Sequence, residues 1–184
     1  MRIGIVDIET SSLEADVGRL LCASILDLTT DEMTSFRNDK IAKRKNMADD
    51  GEIARQVRDE LEKYHMTIGW FSKGFDLPFL NTRLAKVGHK PIRSALHLDA
   101  IWYCKGWRGL KPRSAKMKVM AEFFNLPERK PEVDVDVWID AALGGDSKAM
   151  DILVDRCESD VRITRDITLR LLDTGLIKSI TAYP

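Results

Sequence analysis

The sequence predicts a single α/β domain, residues 1–184, in which helices pack at the end and sides of a mixed sheet. Three observations lead to this prediction: short β-branched runs near the N-terminus, an amphipathic helix that leads directly into a further apolar segment, and a long helical stripe near the C-terminus. The length of 184 residues fits one hydrophobic core. The apolar fraction of 44% and the charged fraction of 32% exclude a fibrous or largely disordered chain.

Five short apolar segments are predicted to be strands. Residues 2–9 and 20–28 are rich in Ile, Leu and Val, and residues 33–36 follow a turn-like Thr-Thr-Asp-Glu stretch, so these three segments are expected to form a meander. Two further strands are expected at 66–70 and 95–99, each after a helical segment.

Helices are predicted where apolar residues recur every three or four positions. The first covers about 50–64, and the second has Pro78 in its first turn and Gly88 just past its end. The last three cover about 114–124, 134–143 and 146–173, with Gly175 after the last one.

Several classes of protein are excluded by composition. No apolar stretch approaches the roughly 18 residues that span a bilayer, so we expect a cytoplasmic protein with no membrane partner. The three cysteines form no CxxC pair and the three histidines lack zinc-ligand spacing, which argues against a disulfide framework and a zinc site. The formal net charge is zero and gives no general preference for a polyanionic partner.

Local charge is more informative than net charge. Residues 105–118 hold six basic residues and no acid, whereas residues 132–160 hold nine acids against Lys148 and Arg156. A protein that binds phosphates with one surface and metal cations with another has this pattern, although solvated helix faces give it too.

Aromatic residues are interleaved with the basic ones. Trp102, Tyr103 and Trp107 lie among lysines and arginines, an arrangement that suits single-stranded nucleic acid because rings stack on bases and cations follow phosphates. The alternative is that this segment begins a core helix. From this region we predict Trp107, Lys111 and Arg113 as nucleic-acid contacts.

Two acids lie on one face of the first strand. Side chains alternate along a strand, so Asp7 and Glu9 continue the apolar face of Ile3 and Ile5. Neighbouring buried carboxylates repel each other and lose hydration, which a divalent cation such as Mg²⁺ or Mn²⁺ would offset. The alternative is a helix start, with a capping box formed within the segment 10–14.

Two more acids have unusual positions. Asp160 lies within a mostly apolar stripe of the last predicted helix, where it needs either a metal ion or an ion pair with Arg156 one turn earlier. Asp76 precedes Leu77-Pro78, so it either caps the helix there or belongs to a site with the other acids.

Three segments resemble the exonuclease motifs of the DEDD superfamily, including its polymerase-proofreading and YprB-like ribonuclease H members. They are Asp7-Ile-Glu9-Thr10, Ser72-Lys-Gly-Phe75-Asp76-Leu-Pro-Phe-Leu80 and Cys157-Glu-Ser-Asp160-Val161, in the order of that superfamily. The resemblance covers about residues 2–170. It implies a ribonuclease H-like α/β fold with a mixed five-stranded sheet flanked by helices.

The resemblance also implies a chemistry and a set of site residues. Members remove nucleotides from 3′ ends with two divalent metal ions, Mg²⁺ or Mn²⁺. Asp7 would bridge both ions, Glu9 and Asp160 would hold the ion that activates water, and Asp76 would act mainly through outer-shell waters. The nucleic-acid contacts implied by the motifs are Thr10, Leu13, Ser72 and Phe75, with Leu13 either a wedge against the terminal base or a core residue.

Two positions depart from the superfamily pattern. Arg156 and Asp155 stand where relatives have a Tyr or His that orients or deprotonates the attacking water, and arginine is no base near neutral pH. Arg156 would instead orient water or contact phosphate. Ser72 stands in place of the usual Asn.

The sequence therefore predicts a metal-dependent 3′–5′ exonuclease acting on single-stranded DNA or RNA ends, with a polymerase or a replication or repair complex as a further partner. A second hypothesis is a catalytically weak module that binds nucleic-acid ends or a polymerase, favoured by Arg156. A third is a structure-selective endonuclease.

Overall fold

The described part of the chain forms a mixed five-stranded sheet. The computed structural model describes residues 1–42, 46, 49–93, 96–105 and 109–178. The sheet order is β3-β2-β1-β4-β5. The strands are β1 (Ile3–Thr10), β2 (Leu20–Asp27), β3 (Met33–Arg37), β4 (Met66–Gly69) and β5 (Leu96–Asp99).

The direction of each strand follows from the connection that precedes it. Short connections make β1, β2 and β3 antiparallel neighbours, whereas β4 and β5 follow helical crossovers and run parallel to β1. The register of β1 against β2 shifts between Glu9 and Thr10, at the end of the strand. All five strands agree with the sequence prediction to within a few residues.

Helices cover both faces of the sheet. Among the described residues they are α1 (Gly51–Leu61), α2 (Asp76–Lys86), α3 (Met117–Phe123), α4 (Val135–Ile139) and α5 (Ser147–Asp173), with 3₁₀ turns at Asn38–Lys40 and Ala100–Tyr103 and a π-helical turn at Asp140–Gly144. None of the described helices has both the length and the apolar character needed to span a bilayer. Gly88 and Gly175 follow α2 and α5 with φ of 75° and 72°, which explains the choice of glycine there.

Alternation along β1 decides which helix each of its side chains meets. Val6 and Ile8 pack with buried residues of α1 and α2 on one face, while Ile5 packs with buried residues of α5 on the other. Asp7 shares the face of Ile5. It therefore points toward α5, the helix that carries Asp160.

Residues 11–19 form a turn rather than a helix, so the alternative of a capping box in this segment is wrong. The Ser12 hydroxyl oxygen accepts a hydrogen bond from the Glu14 amide at 3.2 Å, and the Ser11 amide donates to the Arg19 carbonyl oxygen at 3.0 Å. A buried ion pair from the neighbouring elements holds this turn, because Arg83 bonds to Asp50 and also donates to the Ala15 carbonyl oxygen at 3.0 Å.

Candidate metal centre and nucleic-acid cleft

Three carboxylates converge between β1 and α5. Asp7 and Glu9 come from β1 and Asp160 comes from α5, and one oxygen from each lies within 4.8 Å of the others. Cys157, one turn before Asp160, is buried and its thiol contacts the Asp7 carbonyl oxygen at 3.2 Å. This close packing of α5 on β1 brings two distant motifs into one cluster, as the sequence predicted.

Asp76 lines the same cleft as these three carboxylates, but it comes from α2, the helix that packs on the opposite face of the sheet from α5. It begins α2, is 4% exposed, and its Oδ1 accepts a hydrogen bond from the Ile8 amide at 3.2 Å. Phe75, not Asp76, is the residue before the helix, so the alternative of Asp76 as the cap is wrong. Asp76 is outside the group of oxygens that lie within 4.8 Å of one another.

Burial and mutual repulsion raise the pKa values of Asp7, Glu9 and Asp76. The pKa of Asp7 is raised well above its ordinary range, first by burial and then by Asp160, Asp76 and Glu9. Burial also raises the pKa of Glu9, although Arg156 opposes this change, and it raises the pKa of Asp76 to about 7. A cluster of this kind favours the binding of cations.

Two basic side chains partly neutralise the cluster. Arg156 Nε donates to Glu9 Oε1 at 2.8 Å, and Trp138 Nε1 donates to Glu9 Oε2 at 3.1 Å. Lys130 forms an ion pair with Asp160 Oδ2. The predicted alternative of an Arg156–Asp160 pair is wrong, because each residue has a different ionic partner.

The donor set fits a divalent cation. Asp160 Oδ1 is buried and has no hydrogen-bond partner among the described residues, which leaves one oxygen of a buried carboxylate unsatisfied. The nearby carboxylates of Asp7 and Glu9 supply further hard oxygen donors, the kind that Mg²⁺ and Mn²⁺ prefer. Asp7, Glu9 and Asp160 can therefore hold a metal ion.

Lys130 and Trp138 are functional candidates that sequence reasoning missed. Lys130 lies in the irregular segment between α3 and α4, where no helical or strand periodicity marks a residue as inward-facing. Helix α5 holds this segment, since Ser159 donates to the Arg129 carbonyl oxygen at 3.2 Å and Arg156 to that of Pro131 at 2.7 Å. No local sequence pattern indicates the contact of Lys130 with Asp160 or that of Trp138 with Glu9.

A cleft of about 630 Å³ opens over the carboxylates. Its basic lining residues are Lys116, Lys118, Lys130 and Arg156, and its aromatic ones are Trp70, Phe71, Phe75 and Trp138. The cleft therefore combines acids that can hold a metal ion with basic residues that can meet phosphates and aromatic rings on which bases can stack.

Three of the predicted nucleic-acid contacts, Thr10, Leu13 and Phe75, are at least partly exposed, and Phe75 lines this cleft. Phe75 lines it, partly buried, with its ring centroid 5.6 Å from that of Phe79. Thr10 ends β1, and its hydroxyl donates to the Ser12 carbonyl oxygen at 2.8 Å. Leu13 is 80% exposed, so the alternative that it fills the core is wrong.

Ser72 does not have the predicted position. Its side chain is fully buried, and its hydroxyl pairs at 2.7 Å with His97 Nε2, whose Nδ1 pairs with the Thr67 hydroxyl. Burial, together with Lys73, lowers the pKa of His97 to about 4, so the ring is neutral at pH 7. A buried hydroxyl cannot touch a strand in the cleft, which corrects the prediction: Ser72 instead supports the segment between β4 and α2.

The predicted basic contacts lie outside the cleft wall. Lys111 is exposed, and Arg113 is 77% exposed with its guanidinium 3.5 Å from Glu122. Among the described residues, Lys116 and Lys118 line the cleft instead. Trp107 lies outside the described residues.

A comparison with protein families identifies the class of this domain. A model described as the RNase_H superfamily matches residues 5–172, a range that includes all four carboxylates. The chain belongs to the RNase_H superfamily, and the predicted ribonuclease H-like fold is confirmed. No curated protein sequence matches the chain.

Similarity to a solved structure supports the same fold. The family B DNA polymerase from the hyperthermophilic archaeon Pyrobaculum calidifontis superimposes with a TM-score of 0.74 at 16% sequence identity. The match covers 96% of this chain and 25% of the polymerase chain. The chain thus spans about a quarter of the length of that polymerase.

Proposed function

We propose that the protein is a metal-dependent 3′–5′ exonuclease that hydrolyses phosphodiester bonds at the ends of single-stranded nucleic acid by a two-metal mechanism. One observation carries this proposal: the oxygens of Asp7, Glu9 and Asp160 lie within 4.8 Å of one another at the floor of a cleft with basic and aromatic walls. The DEDD-like order of the motifs supports it.

Four acids, three basic residues and one aromatic residue of the cleft have defined parts in this proposal. Asp7, Glu9 and Asp160 would hold the divalent ions, which when bound activate water and stabilise the leaving oxygen. Trp138 and Arg156 orient the Glu9 carboxylate through their hydrogen bonds. Lys116 and Lys118, on the cleft wall, attract the phosphates of the strand.

Asp76, the fourth acid, holds the backbone of β1 through a hydrogen bond. Asp76 accepts the Ile8 amide, between Asp7 and Glu9, and so fixes the strand from which both carboxylates project. In this role it positions the metal-binding residues without being one of the closest ligands.

The test uses oligonucleotides labelled at either end. Pure protein is incubated with 5′-labelled and 3′-labelled single-stranded DNA and RNA in Mg²⁺ or Mn²⁺, and we expect stepwise shortening from the 3′ end. Asp160→Asn should abolish it, whereas Asp173→Asn, at an exposed position at the end of the same helix, should not. A single internal cut would instead support the structure-selective endonuclease, and shortening from the 5′ end would contradict the polarity proposed.

A specific observation favours the second candidate, a module that binds ends with little catalysis. Lys130 pairs with Asp160 and Arg156 pairs with Glu9, so protein cations already neutralise two of the carboxylates. This module would bind labelled 3′ ends without shortening them in any metal, and Asp160→Asn would leave its binding intact.

A polymerase or a replication or repair complex is proposed as a further partner, supported by the likeness to one part of a DNA polymerase chain.

A further inference from the structure

Two exposed aromatic rings, one of which lines the cleft, flank one lysine. Phe71 is 45% exposed and Trp102 is 47% exposed, and the Lys105 ammonium nitrogen lies 5.3 Å from the centroid of each ring. The two centroids are therefore separated by no more than twice that distance. Single exposed hydrophobic residues are common, but two large rings joined by a shared cation form a distinct surface.

The backbone holds Phe71 in a conformation that non-glycine residues seldom adopt. Its φ is 59°, and its amide donates to Asp99 Oδ1 at 2.7 Å, while the Lys73 amide donates to Asp99 Oδ2 at 3.0 Å. The ring lies over Gly74, where an added Cβ would come within 2.6 Å of it. Local strain and a required glycine thus keep an apolar ring in an exposed position.

The same buried carboxylate connects Phe71 with Trp102. Asp99 is 3% exposed and ends β5, and the 3₁₀ turn Ala100–Tyr103 follows it directly. Ala100 and Ile101 are buried, which anchors the turn and leaves Trp102 on the surface. The backbone segments that carry both rings are therefore anchored before any ligand arrives, which lowers the cost of ordering them.

Phe71 places this surface next to the reactive centre. Phe71 lines the cleft that also contains Asp7 and Asp160. Lys105 and Trp102 lie outside the cleft lining, and the Lys105 ammonium contacts both rings. We propose that Phe71, Lys105 and Trp102 form a stacking platform for the unpaired bases of a single strand whose end lies at the carboxylates, with Lys105 meeting its phosphate. This inference rests on the proposed function and names the substrate class of that site.

The chemistry of the three residues favours nucleic acid over a protein partner. Aromatic rings stack on any base, and a cation between them meets the phosphate that links neighbouring bases. An apolar peptide would leave the Lys105 ammonium facing an uncharged surface. Continuity with the cleft also points to a strand that extends away from the carboxylates.

The test measures binding separately from cleavage. Fluorescein-labelled single-stranded oligothymidylate and oligouridylate are titrated with protein in EDTA, which prevents metal-dependent hydrolysis, and anisotropy gives the Kd. We expect Phe71→Leu and Trp102→Leu each to raise the Kd by about 5-fold or more, from the loss of one stacked base. Trp102→Phe should retain most of the affinity, because it keeps a ring. Lys105→Gln should lower the slope of log Kd against the logarithm of the salt concentration by about 1, as expected for the loss of one phosphate contact.

The control is Phe123→Leu, which removes another exposed ring that is outside the cleft lining. Thermal unfolding of each variant checks that it folds. Wild-type affinity in both Leu variants would overturn the platform alone, and the proposed exonuclease would stand if Asp160→Asn still lost cleavage. Failure of the wild type to bind either oligonucleotide would overturn both proposals.

Discussion

Arg156 Nε donates to Glu9 Oε1 at 2.8 Å, across 147 residues of sequence. The Arg156 side chain is 17% exposed and that of Glu9 is 11% exposed, so the pair is largely shielded from water. The guanidinium also lies 5.2 Å from the Trp138 ring centroid. Arg156 therefore connects α5, β1 and α4 at the clustered carboxylates.

The first prediction concerns this pair. Arg156→Ala leaves Glu9 buried without its guanidinium, so the free energy of unfolding in metal-free buffer should fall by about 1–3 kcal/mol. Added Mn²⁺ should restore more stability to the variant than it adds to the wild type, because the ion supplies the missing positive charge. Urea unfolding with and without Mn²⁺ measures both effects. Equal gains in the two proteins would contradict an interaction between Arg156 and the metal site.

A second prediction concerns the metal itself. Millimolar Mn²⁺ or Mg²⁺ should raise the thermal midpoint of the wild type, because an ion that binds only the folded protein stabilises it. Asp7→Ala and Asp160→Asn should lose most of this gain, since each removes a carboxylate of the cluster. Asp173→Asn, at the exposed end of the same helix, should keep it. Differential scanning fluorimetry gives the midpoints, and a full metal response in Asp7→Ala would place the ion elsewhere.

A third prediction concerns Lys130. Its ammonium pairs with Asp160 and competes with a divalent ion for the same carboxylate. Lys130→Met should therefore lower the Kd for Mn²⁺, whereas Lys63→Met, which removes an exposed lysine paired with Glu60, should leave it unchanged. Isothermal titration calorimetry gives both values. Weaker Mn²⁺ binding in Lys130→Met would show that the lysine supports the site instead of competing for it.

A fourth prediction concerns the stability of the turn that carries Leu13. Asp50 and Arg83 are 1% and 4% exposed, and two hydrogen bonds of 2.8 and 2.7 Å join them. Asp50→Ala leaves a buried guanidinium unpaired, so the free energy of unfolding should fall by about 3–5 kcal/mol. Glu60→Ala, which removes a pair with the exposed Lys63, should cost less than about 1 kcal/mol. Similar urea midpoints for the two variants would contradict this assignment.

The fifth prediction concerns acid. Burial alone would raise the pKa of Asp27, but hydrogen bonds from Arg2 and Thr29 outweigh it and hold the pKa below its ordinary value. A lowered folded-state pKa adds stability above the unfolded value of about 3.9, and this stability is lost as the pH falls through the folded value. The stability difference between wild type and Asp27→Asn should therefore shrink from pH 7 to about pH 3. Urea unfolding at both pH values measures it, and a constant difference would contradict the ionic role of Asp27.

Local periodicity was sufficient to predict much of the fold and part of the site. Alternation along β1 placed Asp7 and Glu9 on one face, and the helical period of α5 placed Asp160 on its buried side. The order of the motifs then predicted that these acids meet. The predicted directions of the side chains held because they depend on residues only a few positions apart, whose relative directions the backbone geometry sets. The meeting of the acids depended instead on the resemblance of the three motifs.

The partners of those acids were decided by tertiary structure. A helix turn separates Arg156 from Asp160, which makes an ion pair between them one of two alternatives, yet Arg156 bonds to Glu9 of β1. Lys130, from an irregular segment, pairs with Asp160 instead. Phe71 and Trp102 likewise come together only through Lys105 and the packing of two segments at Asp99. Spacing along the chain specifies the direction of a side chain, but a contact between distant segments depends on how the elements pack, which no local pattern encodes.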